Sequence, residues 1–233
     1  MGTEFVLFDF DGVIANTEES NAAYLEKALS AFGIQLTDDD RKALIGTNDK
    51  ARIESLLSRS LVKVTAEDLA GKRRQVGNTY ENSCIRPMPG VVSLIQEIRG
   101  RGIKTGLVTS TSTRLIMIAL NRMRMTALFD VVICGDMCAN HKPDPECYKK
   151  AMDYLGAEPC KCIVFEDSAV GIHAARLAGA RVAAYRGSGI QQDVSEADLI
   201  VDSYDECKDM LDDIMQGKIT QGRITQGVIM PCK

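Results

Sequence analysis

Asp9 and Asp11 stand one residue apart at the end of an apolar run, in EFVLFDFDGVIANTE from Glu4 to Glu18. In an extended strand side chains alternate with period 2, so both carboxylates leave the backbone on one side. Two carboxylates that close repel each other unless a proton or a cation lies between them. The pair therefore points to an acid/base dyad or a divalent-metal site. Phe5, Val6, Leu7 and Phe8 are apolar without alternation, the pattern of a short strand buried on both faces of a parallel sheet, and Gly12 frees the chain to turn. Such a pair lies at a strand's carboxyl end, where open α/β sheets form their ligand crevices.

Other strand ends carry complementary groups. The run TGLV ends in Thr109, Ser110, Thr111 and Ser112, hydroxyls directly before a helix, and hydroxyls with the free N–H groups of a helix N-terminus make a phosphate site. Thr109, at the strand end itself, is assigned to phosphate, while Thr111 or Ser112 is expected to cap the helix. Lys142, in NHKPDP, offers the compact cation that a phosphate beside carboxylates requires. A further strand, CIVF, ends in Glu166, Asp167 and Ser168. With the first acidic pair this gives enough oxygen ligands for Mg²⁺, whose octahedral shell favours one or two carboxylates with waters and phosphate.

The elements that must position these groups follow from periodicity. Apolar residues at helical spacing predict a helix over 18–32, begun by Asn16 or Thr17 and ended by Gly33. Thr37 opens a short helix, Asn48 another with Ile53, Leu56 and Leu57, and Thr65 a longer polar helix to about 84. These form a small helical bundle over 16–86. Arg86-Pro87-Met88-Pro89-Gly90 is linker chemistry followed by a helix start. Strands are then expected at 104–109, 131–134, 162–166, 181–184 and 199–201, with helices at 112–123, 145–155, 168–178 and 204–215. The fold class is α/β, a doubly wound Rossmann-like parallel sheet over 1–15 and 87–215 with the bundle inserted after its first strand. The near-repeat QGKIT, QGRIT, QGV places 216–233 in a low-complexity tail.

Composition narrows the class. A chain of 233 residues buries an ample core, and a net charge of −4 gives no footprint for nucleic acid or an anionic membrane. No apolar run approaches the roughly 20 residues that cross a bilayer, and no basic n-region precedes the first strand, so a cytoplasmic protein is expected. The eight Cys lack zinc-site spacing and are expected to be reduced thiols.

FDFDGVIANTE, LVTS, HKP and VFEDS, in this order, resemble the four motifs of the haloacid dehalogenase superfamily. The helical insert resembles its C1-capped subfamily, the β-phosphoglucomutase-like phosphatases and mutases. The resemblance spans 5–202. It implies that Asp9 is the nucleophile forming an aspartyl phosphate and that Asp11 protonates the leaving oxygen and deprotonates the incoming water. Thr109, Ser110 and Lys142 would hold the phosphoryl group, and Asp9, the Asp11 carbonyl, Glu166 and Asp167 would place Mg²⁺. Dehalogenases lack the second Asp, which argues against carbon–halogen hydrolysis. β-Phosphoglucomutases carry a His where this chain has Asn21 and an Arg in the cap loop where GTNDK offers Asp49. The expected function is thus an Mg²⁺-dependent phosphatase acting on a small phosphorylated metabolite, a sugar phosphate among the candidates, as a monomer or weak homodimer. A phosphosugar mutase and a non-catalytic binding protein on the same fold are the alternatives. Thr47, Lys50, Arg52, Lys72, Arg73 and Arg74 are the candidate cap specificity residues.

Overall fold

The structure, a computed structural model, describes residues 2–44 and 50–216. The chain divides into two compact units, Met1–Asn16 with Arg86–Lys233, and Thr17–Ile85.

The larger unit is a parallel sheet of six strands among the described residues: β1 Phe5–Phe8, β2 Lys104–Val108, β3 Val131–Ile133, β4 Cys162–Glu166, β5 Arg181–Tyr185 and β6 Leu199–Val201. Their order is β3-β2-β1-β4-β5-β6, so the chain winds outward from β1 in one direction and returns to wind outward in the other. That reversal beside β1 opens the crevice in which such sheets bind ligands. All four β1 residues are buried, as their unbroken apolarity requires of a strand covered on both faces. Phe8 stacks on Phe165 of β4 with ring centroids 5.1 Å apart and meets Phe129 edge-on.

Helices between the strands cover the sheet. α8, Glu146–Leu155, buries Cys147, Tyr148, Ala151, Met152 and Leu155, and α9, Ala169–Leu177, buries Gly171, Ile172, Ala174 and Ala175. They share one apolar core with Leu7, Val108, Val164 and Val182. Each buried aliphatic side chain of this kind stabilises the unit by about 1.5–3 kcal/mol. α6, Val91–Gly100, and α7, Thr113–Arg122, complete the run of crossovers toward β3.

The described elements of the smaller unit are all helices: α1 Glu18–Ser30, α2 Asp38–Leu44, α3 Lys50–Leu57, α4 Ala66–Val76 and α5 Thr79–Asn82. Leu25, Leu29, Ile34, Leu36, Leu56 and Leu69 form its core. Thr65 makes the expected cap, exchanging bonds with Asp68 at 2.9 and 3.1 Å.

Several local expectations are corrected. The single helix expected over 65–84 is two, because Gly77 takes a φ of 97° and Asn78 is extended, its side chain accepting the Glu81 N–H as a new cap. The helix expected over 204–215 is also two, α10 Tyr204–Asp209 and α11 Leu211–Gln216, broken where Met210 leaves helical geometry. Ser112 precedes α7 without capping it through its side chain; Asp136 accepts from the N–H and hydroxyl of Thr113 instead, at 2.9 and 2.6 Å. Cys84, Cys134, Cys138, Cys147, Cys162 and Cys207 are free thiols. Cys160, on a half-buried turn, is disulfide-bonded rather than reduced. The repeat over 217–233 lies outside the described residues. No helix among the described residues is long and apolar enough to cross a membrane.

Tyr204 of α10 is fully buried, stacks on Tyr185 at 4.2 Å, and donates its hydroxyl to the Val13 carbonyl at 2.7 Å. Tyr204→Phe keeps the stack and strands that carbonyl. The urea midpoint should fall by the equivalent of about 1–3 kcal/mol with an unchanged slope.

Candidate active site

The register fixes where the acidic side chains meet. Phe8 pairs with Leu107 on one side and Phe165 on the other, so the next residues, Asp9, Val108 and Glu166, leave three adjacent strands at one level. The Asp9 N–H donates to the Phe165 carbonyl at 2.9 Å, which continues the ladder one step past β1. The chain then turns tightly: the Phe10 carbonyl accepts from Ile14 and Ala15 at 2.9 and 3.0 Å, and Gly12 N–H donates to Ala15 at 2.9 Å. Gly12 has a φ of 79°, and a Cβ there would lie 1.8 Å from Asp167 Oδ2. The residue must be glycine both for its backbone and for the approach of that carboxylate.

Lys142 is driven into the centre of this group. Its ammonium donates to Asp9 Oδ1 at 2.7 Å, Glu166 Oε1 at 2.6 Å and the Val108 carbonyl at 3.3 Å, and sits 4.9 Å above the Tyr148 ring. Glu166 is more heavily engaged still. Oε1 also accepts the Tyr148 hydroxyl at 3.0 Å, and Oε2 accepts the Asp167 N–H, the Ser168 N–H and the Ser168 hydroxyl at 2.9 to 3.0 Å. Ser168 in turn accepts the Gly171 N–H and caps α9. Glu166 therefore anchors both Lys142 and the N-terminus of α9, where the helix dipole favours an anion. Gly171 is what admits it, since a Cβ there would lie 1.7 Å from Oε1.

The hydroxyl loop lies beside these strands. Thr109 is buried, donates its N–H to Ile133 at 2.9 Å, and accepts the Thr111 N–H on its own hydroxyl at 3.1 Å. Ser110 is exposed, and Thr111 donates its hydroxyl to Asp11 Oδ2 at 2.9 Å.

Charge decides the character of the site. Burial first, and then the charges of Glu166 and Asp11, push Asp9 up to about 8 in spite of Lys142. Burial opposes the charge on Lys142 too, yet Asp9 and Glu166 hold its pKa well above the usual lysine range. Glu166 resists its own burial through Lys142 and Ser168 and stays below the ordinary range. Lys142 is thus shared between Asp9 and Glu166, and one ammonium does not offset the carboxylates gathered around it. The carboxylate oxygens of Asp9, Glu166 and Asp167 lie within 4.8 Å of one another, the one such group of potential metal ligands among the described residues. An all-oxygen set short of positive charge fits a hard divalent cation.

The structure thus gathers Asp9, Asp11, Thr109, Ser110, Lys142, Glu166 and Asp167 in the larger unit. In the helical unit Arg52 on α3 and Lys72 on α4 are half-buried, and Arg73 and Arg74 on α4 are exposed. Thr47 and the Lys50 side chain lie outside the described residues. Sequence reasoning missed Tyr148, Gly171 and the Thr111 contact. Tyr148 follows Lys142 at no spacing that signals contact, and Gly171 reads as an ordinary helix glycine.

Residues 6–185 match the family model described as haloacid dehalogenase-like hydrolase. The chain is 30% identical over 176 residues to the phosphorylated carbohydrates phosphatase of Thermotoga maritima, covering 76% of this chain and 82% of that one. It is 28% identical to the N-acetylmuramic acid 6-phosphate phosphatase of Pseudomonas aeruginosa, over 91% of this chain and 96% of the relative. The crystal structure of CbbY from Rhodobacter sphaeroides in complex with phosphate superposes with a TM-score of 0.74 at 27% identity, covering 88% of this chain and 96% of that chain.

Gly171→Ala separates packing from helix propensity. Propensity alone would stabilise α9 by about 0.8–1 kcal/mol, whereas displacing a buried carboxylate held by five hydrogen bonds should destabilise the protein by about 1–3 kcal/mol. The sign of the shift in a denaturation curve decides between them.

Proposed function

The chain belongs to the haloacid dehalogenase-like hydrolase family, and on that premise we propose that it is an Mg²⁺-dependent phosphatase of a small phosphomonoester, with sugar phosphates the favoured substrates. The observation that carries this reading is Asp9. It is a buried carboxylate at a strand end, with Lys142 on one oxygen and a second aspartate two residues on.

In this reading an Asp9 oxygen attacks phosphorus as the bond to the leaving oxygen breaks. The leaving oxygen takes a proton from Asp11, and an aspartyl phosphate remains. The Asp11 carboxylate then removes a proton from the water that attacks that phosphorus, which frees phosphate and restores Asp9. Thr109, Ser110 and Lys142 hold the phosphoryl oxygens, and Lys142 arrives already oriented by Glu166 and Tyr148. Asp9, Asp167 and the Asp11 carbonyl are the groups that would hold Mg²⁺, with Glu166 behind them. When bound, the ion supplies positive charge to Asp9 and to the phosphoryl oxygens. Positioning and charge neutralisation carry most of phosphoryl transfer, and this cluster is built for both.

Substrate selection is assigned to the helical unit, with Arg52, Lys72, Arg73 and Arg74 as candidate contacts. The sugar-phosphate class is favoured because the phosphatase relatives are named for phosphorylated carbohydrates and an amino-sugar phosphate. Hydrolysis is favoured over a mutase because Asn21 is an amide whose Oδ1 accepts the Thr79 hydroxyl at 2.7 Å, and an amide has no proton to exchange at neutral pH.

Phosphate release should be followed over a panel of sugar phosphates, nucleotides and small acid phosphates, with Mg²⁺ and with chelator. Asp9→Asn and chelation should each reduce turnover by about 10³-fold or more. An Asp9→Asn protein with full turnover would overturn the mechanism, and sugar isomers appearing faster than phosphate would revive the mutase. Magnesium affinity should also depend on pH. Below about 8 the ion must displace a proton from Asp9, so affinity should rise on the order of tenfold from about pH 6.5 to 8.5 and then level off. Calorimetry in buffers of different ionisation enthalpy should register proton release on binding at the lower pH.

A further inference from the structure

We propose that Thr111 is a positioning residue for the general acid, its hydroxyl holding the Asp11 carboxyl in the orientation that serves the leaving oxygen. The inference rests on the phosphatase reading above and deepens it. In the sequence Thr111 is one of five consecutive hydroxyl residues and reads as a helix cap or phosphate contact. The structure removes the capping role, because α7 begins after Ser112 and its first turn is held by Asp136.

Thr111 is held at both ends of its backbone. Its N–H donates to Thr109 Oγ1 at 3.1 Å, and its carbonyl accepts the Gly135 N–H at 3.0 Å. Gly135 is pressed so closely to this loop that a Cβ there would lie 2.2 Å from the Ser110 carbonyl oxygen. Thr109 is itself tied to the sheet through Ile133. The Thr111 hydroxyl is therefore a fixed point, and it donates to Asp11 Oδ2 at 2.9 Å. Asp11 lies on the turn pinned by the Phe10 carbonyl, so its carboxyl is held between two rigid segments.

The chemistry needs this because a carboxylic acid carries its proton on one oxygen. The hydrogen bond from Thr111 fixes the orientation of the Asp11 carboxyl and so the direction of proton delivery. As the Asp9 oxygen bonds to phosphorus, the P–O bond to the leaving group breaks and its electron pair stays on that oxygen, which takes the Asp11 proton. In the second step the Asp11 carboxylate recovers a proton from water. A carboxyl free to rotate would present the proton in only part of its orientations, and poor alignment is costly in proton transfer.

The test uses leaving groups that do and do not need a proton. kcat/KM reports only the steps through transfer to Asp9, so it should be measured for p-nitrophenyl phosphate, whose phenolate leaves unaided, and for the best alkyl phosphate of the panel. Thr111→Val should lower the alkyl value at least about tenfold, part of the 10²–10⁴ typical of general acid catalysis, and the p-nitrophenyl value by less than about threefold. Thr111→Ser, which keeps the hydroxyl, should restore the alkyl value to within about threefold of wild type. Should the valine protein fold poorly, Thr111→Ala against Thr111→Ser carries the same comparison. An equal fall for both substrates would mean that Thr111 serves phosphate binding or local packing, and no fall for either would mean that Asp11 needs no support; each overturns the proposal. A wild-type protein silent toward both substrates would instead bring down the phosphatase reading itself, an outcome distinct from any effect of a Thr111 variant.

Discussion

Buried like charge is the constraint to which this site answers. Asp9 and Glu166 leave adjacent strands at one level, and Asp11 and Asp167 stand within two residues of them. In water such a group would be screened; here burial makes each uncompensated charge expensive. Lys142 answers part of the demand and is itself nearly inaccessible, with a side chain 4% exposed. Shared between Asp9 and Glu166, it leaves the group short of positive charge, which a divalent cation would provide.

The surrounding fold exists to hold that crowding still. Glycines at 12 and 171 give up side chains where carboxylates must approach backbone. Glu166 spends its hydrogen-bonding capacity on Lys142, Tyr148 and the start of α9, so it behaves as a support more than as an open ligand. Below the site, Phe8, Phe165 and Phe129 form an aromatic platform, and Tyr204 ties the turn after Asp11 to α10. Reacting groups held by packed elements need little rearrangement as charge develops, which is how preorganised sites lower barriers.

Expectations failed where a residue had two local uses. Gly77-Asn78 can sit within a polar helix or end one helix and cap the next; the positive φ of Gly77 and the cap made by Asn78 select the second. Ser112 and Thr111 are both sound capping types. The cap came instead from Asp136, 23 residues from Thr113, and this released Thr111 to meet Asp11. Local chemistry ranks such options, and contacts distant in sequence choose among them.

The sequence by itself determined the parallel sheet, the inserted helices and the residues that bear chemistry. Apolar strands ending in Asp9, Thr109 and Glu166 carry that information in their own periodicity and termini. Only the tertiary structure decided how those ends are shared. It placed Lys142 between Asp9 and Glu166, set Tyr148 and Gly171 against Glu166, and directed Thr111 to Asp11. The reason is physical. A strand's period fixes which side chains share a face, whereas pairing between strand ends depends on register and on loops that bring residues 100 or more positions apart within hydrogen-bond reach.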